Sequence, residues 1–453
     1  AGGYWLPATI GEAELILGEM ADAALDYAQA VELAQSSPGD VASMRRNVHL
    51  LQEHIGIHRD VLDVFHLGSL AIFACDLDDY AKADGMAAHH ALQMMNVPGL
   101  EKLARTAIKR HLDEHNVTAA YCRPCAGLEL LFADLAQQRG AEVHLAIPFD
   151  RDDFLPLCLL SRVPEARRWR ELFEDLCRRP NVTLHFATKE RFLADDVLWA
   201  FAYRYLHGLA MTHARSLGME VWLLAACNSP SAFDPVSVPA DHVINLDSVV
   251  AGLASRSAPP PARFTLPSRG PIVSGHRREL KALLFSDIKG FSLLQEEHNP
   301  EFFLRFTREV KDAVDESSHK PIFWNTWGDG LYAVFESVNN AADFALRLLS
   351  RIERVDWETL GMPRDTSARI GLHFGPVYRF FDPVLGRDGV VGSHVTRAAR
   401  IEPVTAPGCV FVSEQFAAMM ACEQDETFIC QSIGQEQLAK GYDTCSLYWM
   451  GLR

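Results

Sequence analysis

The 453-residue chain lacks a long hydrophobic run. A membrane-spanning helix needs roughly 18 or more consecutive apolar residues, and the most apolar stretch, Val197 to Cys227, is broken by charged side chains such as Arg204 and Glu220. It therefore predicts a buried helix followed by a strand. No basic segment precedes an apolar one at the start, so no signal peptide is predicted. We expect a cytoplasmic protein without a membrane partner. Because the chain does not begin with methionine, we also expect a fragment or a processed product.

Positive charge is in the minority, with 43 Lys and Arg against 59 Asp and Glu, and the net charge is −16. Nucleic-acid binding needs a basic surface to contact phosphates, so no nucleic-acid partner is expected. An acidic protein can still hold a nucleotide, because one metal-loaded pocket can be locally positive. The ten cysteines are scattered along the chain and do not form the spacing pattern of a disulfide-stabilised protein. Because a chain of this length can build a hydrophobic core without disulfides, we predict reduced thiols.

Residues 1–57 are rich in Ala and Leu at helical spacing, and we expect an α-helical segment there. The stretch from Tyr4 to Gln35 resembles one tetratricopeptide unit. Its small residues and its one large side chain are placed as in that repeat, at Gly11, Gly18, Ala23, Tyr27 and Ala30. In this resemblance Tyr27 fills the groove between two helices that small residues allow to approach. No second copy follows, so an ordinary helical hairpin remains the alternative.

Residues 58–254 alternate short apolar runs with helical patterns, which predicts a parallel α/β layer. The predicted strands are Ser69–Ala74, Val117–Tyr121, Glu142–Pro148, Val182–Ala187 and Glu220–Ala226. The predicted helices are Gly99–Glu114, Gly127–Arg139, Ala166–Arg178 and Asp195–Leu217.

Part of this stretch reads CAGLELLFADLAQQRGAEVHLAIPFDRDDF, a loop that opens a helix and leads into the next strand. It resembles the Rossmann-like, lysine-decarboxylase-like nucleotide-sensing domains, which implies a sensory domain. In that family the loop is rich in glycine so that amides at the helix start can hold phosphate. Here the loop has mainly Gly127, and a purely structural role is an equal alternative. The same loop contains Cys122 and Cys125 as a CxxC pair, for which a redox role is a minor alternative.

Residues 255–278 contain five prolines in 24 positions and no periodicity. Such a composition is typical of an extended linker. We therefore place a domain boundary here, with the last domain spanning residues 279–453.

Two aspartates in this last domain follow apolar strand patterns. Asp287 ends the run LKALLFSD and precedes a glycine-containing turn, and Asp329 lies between two glycines at the tip of a predicted hairpin. Mg²⁺ prefers carboxylate and phosphate oxygens, and two aspartates can bridge a pair of ions. The turn that follows Asp287 offers backbone amides to phosphate groups, and its residues are Ile288, Lys289, Gly290, Phe291 and Ser292.

Three further stretches follow in order. Ala368 to Val377 predicts a strand that enters a hairpin, and Gly392 to Glu402 predicts a helix with Thr396 and Arg400 four residues apart on one face. Lys440 then precedes a terminal strand. This succession is similar to the catalytic domain of class III adenylate and guanylate cyclases, over about 175 residues. The implied fold is a ferredoxin-like α+β domain behind an α/β Rossmann-like domain and a helical N-terminus.

The resemblance implies the conversion of a nucleoside triphosphate to a 3′,5′-cyclic nucleotide and pyrophosphate. It implies two Mg²⁺ or Mn²⁺ ions per active site, with metal ligands at Asp287, Ile288 and Asp329. Arg400 would stabilise the transition state and Lys440 would bind phosphate. It also implies a homodimer with two shared active sites. One protomer would supply the aspartates and the other Thr396, Arg400 and Lys440.

Two positions depart from the family pattern. Thr396 stands where most active members have the asparagine that orients the ribose, and threonine has a shorter reach. At the base-reading position this chain has Asn325, whose expected partner is Gly389, with neighbouring Asp388 as a substitute. Asn325 can pair with either purine. ATP is preferred over GTP only because it is the commoner substrate.

Two alternatives to a class III enzyme are compatible with parts of this pattern. Diguanylate cyclases share the fold, but no GG[DE]EF stretch is present and the Arg400 helix belongs to class III. The second is a catalytically silent cyclase fold that binds nucleotide or a regulatory partner, suggested by Thr396 and Gly389. Retention of both aspartates, Arg400 and Lys440 favours an enzyme.

Overall fold

A computed structural model of the protein describes residues 3–34, 38–55, 64–65, 68–75, 100–125, 127–159, 164–193, 197–226, 242–245, 277–291, 294–364, 366–384, 386–423 and 427–453. Ser292 and residues 255–276 of the predicted linker lie outside these ranges. None of the helices in the described part of the chain has the length and apolar composition required to cross a membrane.

The first described segment is helical, with α1 (Trp5–Leu17), α2 (Met20–Leu33) and α3 (Pro38–Ile55). Tyr27 is completely buried, and a Cβ added at Gly11 would lie 3.1 Å from its ring, so a small residue is needed where α1 meets α2. These contacts occur where the repeat-like pattern predicts them. The tetratricopeptide assignment itself stays a prediction.

The second region is a parallel sheet with helices on its faces, as the alternating pattern predicts. The strands are β1 (Ser69–Cys75), β2 (Val117–Cys122), β3 (Glu142–Ile147), β4 (Val182–Phe186), β5 (Glu220–Ala226) and β6 (Val243–Asn245). The helices are α4 (Leu100–Glu114), α5 (Leu128–Gln138), α6 (Arg151–Cys158), α7 (Pro164–Leu176) and α8 (Val197–Leu217). The strand order is β4-β3-β2-β1-β5-β6. The five predicted strands and four predicted helices occur within two residues of the expected bounds.

The CxxC loop leaves β2. Cys122 and Cys125 are free thiols with no exposed surface. A hydrogen bond with Cys158 and burial raise the pKa of Cys125 well above its usual value, and burial does the same for the pKa of Cys122. A dithiol redox site needs a low thiol pKa and access to solvent. The thiols of Cys122 and Cys125 have neither property, so the structure does not support the redox alternative.

The third region is a second sheet in the order β13-β14-β12-β10-β7-β9-β8, with β11 paired to β10. Its strands are β7 (Arg278–Ile288), β8 (Phe323–Trp327), β9 (Gly330–Phe335), β10 (Ala368–Asp382), β11 (Arg387–Val391), β12 (Cys409–Ser413), β13 (Phe428–Gln437) and β14 (Thr444–Leu452). Its helices are α9 (Asn299–Glu316), α10 (Val338–Glu353), α11 (Ser393–Ile401) and α12 (Glu414–Cys422). β7 begins at the last residue of the predicted linker.

Helix α8 joins the two sheets into one buried core. Its side chains Phe201 and Tyr205 belong to the same apolar cluster as Leu284 of β7 and Phe416 of α12. A Cβ added at Gly208 would lie 1.8 Å from the carbonyl oxygen of Ala418, so the backbones of α8 and α12 touch there. The apolar run noted in the sequence is thus a helix buried between the α/β region and the third region.

Candidate active site

Asp287 lies near the end of β7 and is directly opposite Arg369 of β10 in the antiparallel register. Arg369 Nη2 is 2.5 Å from Asp287 Oδ2 and 3.0 Å from Glu402 Oε1. The guanidinium therefore joins two carboxylates from different elements. The sequence pattern did not indicate Arg369 or Glu402 as site residues, although both lie inside the stretches that carry the cyclase resemblance.

Asp329 stands at the tip of the β8–β9 hairpin, where Gly328 takes a left-handed conformation with φ of 60°. Pairing of Ser286 with Leu331 brings this tip beside the end of β7. Burial, a hydrogen bond to Asp287 and the charge of that group raise the pKa of Asp329 to about 7, while hydrogen bonds from the backbone amides of Asp329 and Ile288 oppose the shift. The structure thus brings the two aspartates predicted as metal ligands together, and Ile288, the third predicted ligand, directly follows Asp287.

Glu402, just after α11, is a third carboxyl group in this site. Burial raises its pKa to about 7, Arg369 opposes the shift, and the charges of Asp287 and Asp329 add to it. Clustered carboxyl groups whose ionisation is disfavoured by burial and mutual repulsion suit a divalent cation, which would relieve both penalties. The residues present therefore fit a Mg²⁺ or Mn²⁺ site at Asp287 and Asp329.

In the turn after β7, Gly290 takes a left-handed conformation with φ of 88°. Two of its amides are already engaged, because Lys289 donates to the carbonyl of Ser367 at 3.1 Å and Ile288 donates to Asp329. Among the described residues of this turn, a phosphate contact would therefore depend on the amides of Gly290 and Phe291 or on rearrangement, and Ser292 lies outside the described part of the chain.

Thr396 is exposed on α11, and Arg400 is partly exposed one turn further on. Lys440 is exposed in a left-handed conformation with φ of 60°. Within the described part of this single chain, none of the three makes an ion pair or side-chain hydrogen bond with Asp287 or Asp329. Their exposure leaves them accessible to a second molecule.

Asn325, the residue predicted to read the base, has an unexpected partner. Asn325 of β8 accepts a hydrogen bond on Oδ1 from Arg387 of β11, at 3.0 Å. Of its two predicted partners, Gly389 has no side chain and Asp388 pairs with Arg379 at 3.0 Å, so their part in base reading stays a prediction. Arg387 is thus the observed hydrogen-bond partner of Asn325, and no spacing rule in the sequence pointed to it.

Residues 274–451 match the family model described as the adenylate and guanylate cyclase catalytic domain. The C-terminal part of the chain therefore carries a class III cyclase catalytic domain, which supports nucleotidyl cyclase activity in general.

Solved structures similar to the chain include two cyclase domains. The guanylate cyclase domain of RhGC from Catenaria anguillulae, in complex with GTP, is 22% identical, covers 39% of this chain and 97% of that one, and gives a TM-score of 0.34. The adenylyl cyclase CyaB from P. aeruginosa is 17% identical. The match covers 40% of this chain and 97% of that one, with a TM-score of 0.34.

Among curated proteins, a putative serine/threonine-protein kinase/receptor R826 of Acanthamoeba polyphaga mimivirus is 26% identical over 120 residues. The match covers 23% of this chain and 7% of that protein's length.

Proposed function

We propose that the protein is a nucleotidyl cyclase that converts a nucleoside triphosphate to a 3′,5′-cyclic nucleotide and pyrophosphate, for intracellular signalling. The observation that carries the proposal is the convergence of Asp287 and Asp329 at the end of β7, where burial and mutual repulsion raise the pKa of Asp329 to about 7. Carboxyl groups held this way exchange a proton for a cation.

In this proposal Asp287 and Asp329 hold two divalent cations, and Arg369 orients Asp287 through their ion pair. Bound cations would activate the ribose 3′-hydroxyl for attack on the α-phosphorus and neutralise the departing pyrophosphate. Arg400 contributes a planar, permanently charged fork to the pentacovalent phosphate. Lys440 binds the polyphosphate, and the Thr396 hydroxyl orients the ribose.

The active site is proposed to form between two copies of the chain. Arg400 and Thr396 are accessible on α11 and are not joined to the aspartates within one chain, among the residues that the structure describes. Large apolar side chains also lie exposed around the site, on β8 and on the β10–β11 hairpin: Trp324, Trp327, Phe381 and Val384. An apolar surface of this kind is typical of a protein contact, and a two-fold dimer would create two equivalent sites.

ATP is the proposed substrate. Arg387 occupies Oδ1 of Asn325, which leaves the N–H donors of the amide to read a base. Adenine N1 is an acceptor, whereas guanine carries a hydrogen on N1. A donor at this position therefore favours adenine.

The test is incubation of the protein with each of the four triphosphates and Mg²⁺ or Mn²⁺, with products identified by mass. Asp287→Asn and Asp329→Asn should each abolish cyclic product. Asp343→Asn, at a partly exposed position of α10, is the matched control and should keep full activity because its carboxylate pairs with Arg347 on the same helix, away from the site. Binding of nucleotide without product would instead indicate a silent regulatory protein.

A further inference from the structure

The loop that follows β4 in the α/β region, residues 187–191, contacts the first turn of α11. Thr188 Oγ1 is 2.9 Å from His394 Nε2, and Glu190 Oε1 accepts a hydrogen bond from Ser393 Oγ at 2.6 Å. Ser393 and His394 are the first two residues of α11, which carries Thr396 and Arg400. We call residues 187–191 the β4 loop.

The Thr188 contact ends a buried line of hydrogen bonds. His394 Nδ1 is 2.7 Å from His373 Nε2, and His373 Nδ1 is 2.7 Å from Ser413 Oγ. The two rings are nearly parallel, with their centroids 5.0 Å apart, and both residues are at least 96% buried. The line therefore runs from the start of α12, through β10 and α11, into the α/β region.

Both imidazoles are held neutral. Burial lowers the pKa of His394 to about 3, with added repulsion from Arg397 and Arg278, and burial lowers the pKa of His373 well below its usual value. A neutral ring has one N–H and one acceptor nitrogen. Each ring therefore needs a partner on both sides, and Thr188 is the partner that completes the line at His394.

Gly375 of β10 leaves the space that the His394 ring occupies. A Cβ added at Gly375 of β10 would lie 2.1 Å from His394 Nδ1, so only glycine at this position lets the ring lie against the strand. The same neighbourhood has no space into which the ring can shift toward β10. The position of the start of α11 therefore depends on the groups that meet His394 from its other sides, which include the Phe201 ring of α8 and, as the hydrogen-bond partner, Thr188.

Glu190 makes a second connection. Its Oε2 is 3.1 Å from Nε of Arg278, the first residue of β7, and Arg278 also donates to the carbonyl of Arg191 at 3.0 Å. One carboxylate of the β4 loop thus joins the start of α11 to the start of β7. Strand β7 then leads to Asp287.

The opposite end of α11 is attached to the site itself. Glu402, which follows Ile401 at the end of the helix, pairs with Arg369, and Arg369 pairs with Asp287. A nine-residue helix held at both ends has little freedom to shift or rotate. The α/β region supplies one of these two attachments.

We infer that Thr188 of the α/β region is a positioning residue for the cyclase reaction, acting, beside the Glu190 contacts, by holding α11 so that Thr396 and Arg400 are presented to the substrate. This inference rests on the proposed function. Thr396 and Arg400 lie two and six residues beyond His394 on a rigid helix, so a shift at its start moves both. Displacement of a reacting group by about 1 Å can cost on the order of a hundredfold in rate. Docking of the α/β region is then a requirement for turnover.

The first experiment compares three single variants in steady-state kinetics. Thr188→Val keeps the shape of the side chain but removes the hydroxyl, and kcat should fall about tenfold while KM for the triphosphate and for the metal stays within twofold. Thr188→Ser restores the hydroxyl and should restore kcat. Thr183→Val, the same substitution at an exposed position of β4, is the matched control and should behave as wild type. An unchanged kcat in Thr188→Val would overturn the inference.

The second experiment separates positioning from a general loss of stability. In a mixed dimer of Asp287→Ala and Arg400→Ala chains, the intact site takes α11 from the Asp287→Ala chain and both aspartates from the Arg400→Ala chain. Thr188→Val added to the Asp287→Ala chain should lower kcat about tenfold. The same substitution added to the Arg400→Ala chain, whose α11 serves only the broken site, should have no effect. Equal losses in both arrangements would contradict a positioning role.

These outcomes are distinct from failure of the proposed function. A wild-type protein that forms no cyclic product with any triphosphate overturns the proposed function and this inference with it. A wild-type protein that is active, together with an indifferent Thr188→Val variant, overturns only the inference.

Discussion

The side chain of Asn325 illustrates how a single neighbour can set the chemistry of a residue. An amide offers both a donor and an acceptor, but Arg387 uses the acceptor and leaves the N–H groups available. Arg387 also lies over the Phe323 ring, 5.1 Å from its centroid, which steadies the guanidinium. We therefore propose that the pair Asn325 and Arg387 selects the base.

Replacing Arg387 should change substrate preference. In Arg387→Ala the Asn325 amide can rotate and present its oxygen, which accepts the N1 hydrogen of guanine. We expect the ratio of kcat/KM for ATP over GTP to fall several-fold, measured with both substrates under matched metal concentration. Arg379→Ala, which removes the partner of Asp388 on the same hairpin, should leave the ratio unchanged. A ratio that is constant in both variants would remove Arg387 from base selection.

A second residue-scale feature is the buried histidine His207 of α8. Neither of its ring nitrogens has a hydrogen-bond partner among the residues that the structure describes. Burial, with repulsion from Arg123, lowers the pKa of His207 to about 3 from the usual 6.5. Between those values the unfolded chain binds a proton that the folded chain does not. The free energy of unfolding should therefore fall as the pH drops from about 6.5 toward 3.

His207→Phe should reduce this acid sensitivity. Each pH unit below 6.5 costs the wild type about 1.4 kcal/mol through this one group, so His207 accounts for about 2 kcal/mol between pH 7.5 and pH 5.0. Urea unfolding at the two pH values measures the difference. The phenylalanine variant should lose less stability on acidification, and His54→Phe, at an exposed position of α3, should lose as much as wild type. The prediction is wrong if both variants respond alike.

At the scale of elements, α8 is the connection between the two sheets. Its side chains belong to the core of the cyclase region, and its backbone touches that of α12 at Gly208. Two polar contacts accompany this apolar contact between α8 and α12. Tyr205 donates a hydrogen bond to Glu414, and Arg204 Nη2 lies 3.2 Å from Glu423 Oε1. An extensive apolar contact of this type favours a fixed arrangement of the two regions over independent motion.

Gly208→Ala tests this contact. In an isolated helix the change would add about 1 kcal/mol of stability, but here the new methyl group would collide with the Ala418 carbonyl. We expect a net loss of up to about 2 kcal/mol, because overpacking typically costs about 1–3 kcal/mol against that gain of about 1 kcal/mol. Thermal unfolding measures it, with Ser216→Ala in the exposed last turn of α8 as a control that should be neutral. A stabilised Gly208→Ala protein would show that α8 and α12 do not touch in solution.

At the scale of the whole molecule, the proposed site needs two chains. The aspartates of one copy would meet Thr396, Arg400 and Lys440 of the other, and each homodimer would contain two such sites. The α/β region of each chain holds α11 from behind, on the side facing His394. Regulation through that region would therefore act on one half of each shared site.

Mixing two inactive variants should restore activity. Asp287→Ala and Arg400→Ala chains are each expected to be inactive alone, and random exchange makes half of the dimers mixed. Each mixed dimer has one intact site of two, so equal amounts should give about a quarter of wild-type activity. The activity should fall on dilution, because monomers have no complete site. A mixture that stays inactive after exchange has been demonstrated independently would place the site within one chain.

The pattern of elements and the candidate aspartates followed from the sequence because their signals are local. The β2 to β5 strands and the buried helix before β5 were indicated by runs of apolar residues a few positions long. Asp287 and Asp329 were indicated by a strand, a turn and two glycines in their immediate neighbourhood. The family match over residues 274–451 agrees with the cyclase domain predicted from these local patterns.

Other features depend on which distant residues the fold brings together. Arg369 is 82 positions from Asp287, and only the register of β7 on β10 places them opposite each other. Thr188 and His394 are 206 positions apart and meet only because α8 packs between the two sheets. A strand pattern determines which residues are buried, but not which strand lies beside it or in what register. Tertiary packing therefore decided the partners of Asp287, Asn325 and His394, while the sequence by itself determined that an aspartate, an asparagine and a helix would be there.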